Sequence, residues 1–173
     1  MPILGSIIKS AIEFPSKIPL DKIRRAKPEK QQAATLKKLL RSAQYTSLGE
    51  AYDFGGLLKR KDLVNAFKQQ VPINDYNSIH QQWWYRTLNG EAFVSWPGKI
   101  RYFALSSGTS EASSKYIPVT AEMLKAIKKT SIRQLFSLAK YDLPRDFYER
   151  GILMLGGSTH LHFNGTYYEG DLS

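Results

Sequence analysis

The run Ser106-Ser107-Gly108-Thr109-Ser110-Glu111-Ala112-Ser113-Ser114-Lys115 gathers hydroxyls, one glycine and a closing lysine between two apolar stretches. Ile100, Tyr102, Phe103, Ala104 and Leu105 precede it, and Tyr116-Ile117-Pro118-Val119 follow. The pattern predicts strand, small-residue loop, lysine, strand. That order suits phosphate. Small side chains let backbone N–H groups approach an anion, hydroxyls donate further hydrogen bonds, and the lysine supplies the compensating charge.

Other chemistries for such a loop fail on its letters. A Walker-type loop needs Gly, four residues, then Gly-Lys-Ser/Thr, but counting from Gly108 places Ser113 at the second glycine. The dinucleotide fingerprint wants three glycines, and Gly108 stands alone here. A Ser-x-x-Lys acyl enzyme is excluded because Ala112 lies three residues before Lys115. Gly156-Gly157-Ser158-Thr159 is followed by His160 rather than glycine, so there is no nucleophile elbow. Composition alone leaves two readings, a phosphate loop of another type or a solvated serine-rich turn.

Ser106-Ser107-Gly108-Thr109-Ser110 with Lys115 and Ile117-Pro118 resembles the nucleotide-phosphate loop of the adenylate-forming enzymes. Within them it is most similar to the acyl-acid amido synthetases of the auxin-responsive GH-three family, which has bacterial members. Gly156-Gly157-Ser158-Thr159 and the terminal Tyr168-Glu169-Gly170-Asp171-Leu172-Ser173 fit that family too, and Trp83-Trp84-Tyr85 is compatible with it. Many relatives carry glycine where this chain has Ala112, which stiffens the loop.

The resemblance implies an α/β fold, the N-terminal part of the large domain of an adenylate-forming enzyme. Residues 1–95 are expected to be mainly helical, and 96–173 to run strand, phosphate loop, helix, strands. It implies ATP-dependent activation of an acyl acid as acyl-adenylate, then transfer to an amine, that of an amino acid. Ser106, Ser107, Gly108, Thr109 and Ser110 would bind the nucleotide phosphates, and Lys115 would be catalytic. Magnesium would accompany ATP, with its ligands outside these 173 residues. Family enzymes are much longer, so the chain reads as their N-terminal portion, with the rest of the polypeptide as its partner and no turnover expected from it alone. Two alternatives stay open: an acyl-CoA ligase differing in the second-step acceptor, and a non-catalytic basic module binding anions or nucleic acid.

Arg133, on the predicted helix after the loop, is the candidate for the acyl carboxylate, since a guanidinium matches its two oxygens. More often such an arginine is a surface charge or a salt-bridge partner, and that reading is the favoured one. His160 and His162 share a strand face but have no third ligand in view, so no metal site is assigned. Trp83, Trp84 and Tyr85 read first as core and contact aromatics.

These residues must be positioned by a folded scaffold, and the composition supplies one. With 173 residues, 42% hydrophobic, the chain is long enough for a modest core. Cysteine is absent, which excludes disulfides, cysteine–zinc sites and thiol nucleophiles. Met1-Pro2-Ile3-Leu4 has no basic segment before it, and no apolar run approaches the ~20 residues that span a bilayer, so a cytoplasmic protein without a membrane partner is expected.

The net charge of +10 is uneven: residues 1–70 hold 14 Lys/Arg against 6 Asp/Glu, and 71–173 hold 11 against 9. Such clusters can meet nucleic acid. However, Lys37, Lys38 and Arg41 stand at helical spacing opposite Leu36, Leu39 and Leu40, the pattern of a solvated helix face, and no nucleic-acid motif is present.

Local signals then place the elements. Ile3 to Phe14 reads as an amphipathic helix. Pro28-Glu29 opens a helix through Arg41, with proline where its missing N–H is harmless. Asp62 starts another, stopped by Pro72. Asp75 or Asn77 caps a third, ending at Asn89-Gly90. Thr120 starts a longer helix to Lys140, with Met123, Ile127, Leu135 and Leu138 among its apolar positions. Ile152 to Leu155 reads as a buried strand, and Leu161 to Tyr168 as a hairpin about Asn164-Gly165.

Overall fold

A computed structural model describes residues 3–16, 27–106, 115–151 and 160–171. Its architecture is α/β, helices followed by a small mixed sheet. Contacts divide the chain into two units, Met1–Lys27 with Ala121–Leu155, and Pro28–Thr120 with Gly156–Ser173.

Helix α1 (Ile3–Ser16) belongs to the smaller unit, and the larger begins with α2 (Pro28–Ala43). Proline occupies its first position and Glu29 its first turn, where the free N–H groups favour negative charge. Lys37, Lys38 and Arg41 are exposed while Leu40 and Ala43 are buried, so this basic cluster is the solvated face of an amphipathic helix.

The chain then turns sharply. Buried Thr46 accepts from the Gly49 N–H at 3.1 Å and donates to the Ala43 carbonyl at 2.7 Å. This cap opens α3 (Ser47–Ala51), and Asp53 caps α4 (Phe54–Leu57) by accepting from the Gly56 N–H. A Cβ at Gly49 would overlap the Ala43 carbonyl, so only glycine lets the two backbones approach this closely. Neither short helix is signalled by sequence periodicity, because four or five residues cannot display it.

Leu40, Ala43, Phe54 and Leu57 form the buried core, with Leu48, Leu63, Phe67 and Trp96 packed against it. Leu63 and Phe67 come from α5 (Leu63–Gln70), whose N-cap is Asp62 as its position predicts. The Asp62 carboxylate accepts from the Asn65 N–H at 3.2 Å and the Asn65 side-chain amide at 2.7 Å. Asp62→Ala is expected to lower the unfolding free energy of this unit by ~1 kcal/mol, checked by urea denaturation against wild type.

Asp75 caps the next helix, α6 (Tyr76–Ile79), which passes through a π-helical turn (His80–Trp84) into α7 (Tyr85–Leu88). Asn89 and Gly90 end it, Gly90 with a φ of 85° that glycine adopts without strain. The extra residue in the π turn changes which way its aromatics face, and no sequence rule anticipates it. Trp83 packs toward Tyr52, their ring centroids 6.2 Å apart, and Trp84 toward Tyr76 at 6.1 Å.

Among the described residues, four strands form one sheet in the order β2-β1-β4-β3: β1 (Tyr102–Ser106), β2 (Lys115–Val119), β3 (His162–Phe163) and β4 (Tyr168–Asp171). β1 pairs antiparallel with β2 and parallel with β4, while β3 and β4 form an antiparallel hairpin closed by the Asn164 N–H on the Tyr167 carbonyl. The hairpin lies where Asn164-Gly165 predicts it. Phe103 and Ala104 of β1 are buried. The predicted strand Ile152 to Leu155 lies outside the described residues.

In the smaller unit, α1 (Ile3–Ser16) packs against α8 (Ala121–Ser137) and against two 3₁₀ turns, Leu138–Lys140 and Arg145–Glu149. Lys9 ties α1 down: its ammonium donates to Asp142 Oδ1 at 3.0 Å and to the Leu143 carbonyl at 2.9 Å. Glu149 Oε1 accepts from the Gly5 N–H at 2.7 Å, satisfying one free donor of the first helical turn. The helix predicted from Ala121 to Lys140 is α-helical to Ser137 and tightens to 3₁₀ for its last turn. Its apolar positions Met123, Ile127 and Leu135 remain exposed. Among the described residues, no helix is long and apolar enough to cross a membrane.

Candidate nucleotide-phosphate site

Ser106 is the last residue of β1 and Lys115 the first of β2, and the two are register partners across the antiparallel pair. Residues 107–114 connect them. Ser106 is half-buried and Lys115 exposed, so the sheet delivers a hydroxyl and an ammonium side by side at one end of two paired strands. Ser107, Gly108, Thr109 and Ser110, and with them Ala112, lie outside the described residues, as do Gly156 to Thr159. Extended strands end here because the chain passes from apolar, β-compatible residues into small hydroxyl residues that favour turns.

Around Lys115 the structure assembles residues that sequence reasoning did not connect. The Lys115 ammonium stands over the Tyr76 ring, 5.4 Å from its centroid. The Tyr116 backbone N–H donates to the Tyr76 hydroxyl at 2.8 Å. Tyr76 in turn stacks on His80, centroids 5.5 Å apart, and meets the Trp84 edge. On the other side Tyr116 meets Tyr167 edge-on at 6.1 Å, and Tyr167 packs at 4.7 Å from Phe103. Asp75 was legible only as a helix cap, and Tyr76 carried no signal at all. Forty residues separate Tyr76 from Tyr116, so only the fold could reveal the pair.

Electrostatics near the lysine follow from these contacts. Hydrogen bonds from the Ser78 hydroxyl and N–H hold the Asp75 carboxyl below the usual carboxylate range, and the Lys115 charge adds to the effect. Burial pushes the Tyr116 phenol up, helped by the negative charge of Glu169. Tyr116 therefore stays a neutral hydroxyl at physiological pH, and Asp75 stays an anion. Behind the site, Arg86 anchors the end of α7: it ion-pairs with Glu91 and donates to Ser47 Oγ at 3.0 Å. This pairing raises the Arg86 pKa and lowers that of Glu91.

The other candidates are dispersed. Arg133 is exposed on α8 and belongs to the smaller unit, whereas Ser106 and Lys115 belong to the larger. His162 Nδ1 lies 3.2 Å from Glu169 Oε1 across the β3–β4 hairpin, a surface pair rather than a metal ligand set. Among the described residues, no group of three or more His, Cys, Asp or Glu could hold a metal ion.

Helices leading into a small mixed sheet, with a serine and a lysine set where two strands enter and leave a hydroxyl-rich run, define an α/β protein. The chain belongs to the GH3 family: residues 22–161 match the GH3 family N-terminal domain. Members of that family are adenylate-forming ligases. No curated protein and no solved structure matches the chain.

Proposed function

We propose that this chain supplies the phosphate-binding end of an ATP-dependent acyl-acid amido synthetase. The observation that carries the reading is the family match over residues 22–161, a span that includes the whole run from Ser106 to Lys115. In the first half-reaction a carboxylate oxygen of the acyl acid bonds to the α-phosphorus of ATP. The bond from that phosphorus to the bridging oxygen breaks, and pyrophosphate leaves. In the second, the amine nitrogen attacks the acyl carbon, the acyl–oxygen bond breaks, AMP leaves and the nitrogen loses a proton.

Negative charge on the departing pyrophosphate grows as the first step proceeds, and donors aimed at it lower the barrier. In this reading Ser106, Ser107, Thr109 and Ser110 donate hydrogen bonds to the phosphate oxygens, and Gly108 permits close approach. Lys115 offsets the developing charge. ATP arrives with magnesium, to which the reading assigns no ligand among the described residues.

One further feature supports it. Ser106 and Lys115 are cross-strand partners, so the two ends of the loop are held at a fixed separation. The test is exchange of labelled pyrophosphate into ATP by the complete ligase, expected to require a carboxylic acid, with AMP release requiring an amine. Exchange that ignores the acid, or AMP release driven by a thiol and not by an amine, overturns the proposal.

A further inference from the structure

We propose that Tyr76 is a positioning residue for Lys115, fixing both the lysine's ammonium and the backbone from which it springs. The inference rests on the phosphate-binding reading above. A lysine side chain has four rotatable bonds and, at an exposed strand end, samples many of them. Here one ring restrains it twice. The ring face attracts the ammonium at 5.4 Å from the centroid, and the hydroxyl on the same ring accepts the N–H of the next residue, Tyr116, at 2.8 Å. Backbone direction and side-chain head are therefore referenced to a single rigid group.

The ring is itself held. His80 stacks on it at 29° between planes, and Trp84 meets it at 68°, both from the π-helical turn that follows α6. Tyr76 sits directly after its helix cap, Asp75, so the cap's hydrogen bonds to Ser78 fix the backbone that carries the ring. Asp75 is also an anion on which the Lys115 charge acts. An arrangement of this kind sets the lysine before ATP arrives, so less ordering remains when the phosphates bind.

The experiment is a double-mutant cycle on the complete ligase, read as kcat/KM for ATP in acid-dependent pyrophosphate exchange. Tyr76→Leu is expected to lower it about tenfold. In a Lys115→Ala background the same change should cost less than about twofold, because the residue it positions is gone. An equal loss in both backgrounds means that Tyr76 only supports the fold, and overturns the proposal. No loss in the wild-type background overturns it too. If Lys115→Ala alone leaves the exchange unchanged, the phosphate reading fails first and this inference falls with it.

Should Tyr76→Leu fail to fold, Tyr76→Phe carries the test. It keeps the ring beneath the ammonium and removes the acceptor for Tyr116, so a loss of about two- to threefold is expected, again vanishing without Lys115. A loss that persists in the Lys115→Ala background overturns the proposal.

Discussion

Lys115→Ala in the complete ligase is expected to slow acid-dependent pyrophosphate exchange by about a hundredfold or more, with the larger part in kcat. The size follows from where the charge sits. Lys115 is the first residue of β2, opposite Ser106, at the point where the loop that would hold the departing phosphates returns to the sheet. Pyrophosphate gains negative charge in the transition state, so a cation there counts for more at the barrier than in the ground-state complex.

Among the described residues, the groups the structure sets against the ammonium are the Tyr76 ring and the Asp75 anion, and neither can supply positive charge. Lys115→Arg keeps the charge but changes its shape and reach, and should retain more activity than the alanine variant. Exchange within twofold of wild type for Lys115→Ala would remove the lysine, and with it the phosphate-loop assignment, from the mechanism.

Leu57→Ala is expected to lower the unfolding free energy of the larger unit by about 2–5 kcal/mol. Leu57 is only 1% exposed and belongs to the core with Leu40, Ala43 and Phe54. Truncation removes three carbons from that core, and short α4 is pinned between Asp53 and Leu58 with little freedom to collapse into the gap. All three tryptophans, Trp83, Trp84 and Trp96, lie in this unit, so their fluorescence follows its unfolding in urea without a contribution from the other. Against a typical total of 5–15 kcal/mol, such a loss would also reduce soluble yield. A shift below about 1 kcal/mol would show that the core does not close around Leu57.

Short-range signals in the chain proved informative about its helices and its hairpin. Pro28 at the start of α2, Asp62 and Asp75 as caps, Gly90 as a stop and Asn164-Gly165 in the hairpin each act through hydrogen bonds or dihedral preferences that span a few residues. Such preferences are written into neighbouring letters and can be read there. The family was legible for a similar reason, since a hydroxyl-rich run closing on Lys115 is itself a local pattern.

Periodicity was less complete. It marked Met123, Ile127 and Leu135 as one apolar face of α8, yet these residues remain exposed. A 3.6-residue period tells which side of a helix is apolar and is silent about what covers it. Helices α3 and α4 were missed because four or five residues cannot display a period, and the turn into α3 rests on buried Thr46 and on the close approach of Gly49 to Ala43.

By itself the sequence determined several helix starts and stops, the hairpin, the absence of thiol chemistry and membership of an adenylate-forming family, all properties carried by residues near one another in the chain. Only the tertiary structure decided that β4 runs parallel beside β1, that Arg133 and Lys115 belong to different units, and that Tyr76 stands beneath Lys115. Those outcomes depend on packing between segments tens of residues apart. Burial and ring contacts select among many pairings there, and no local propensity distinguishes them.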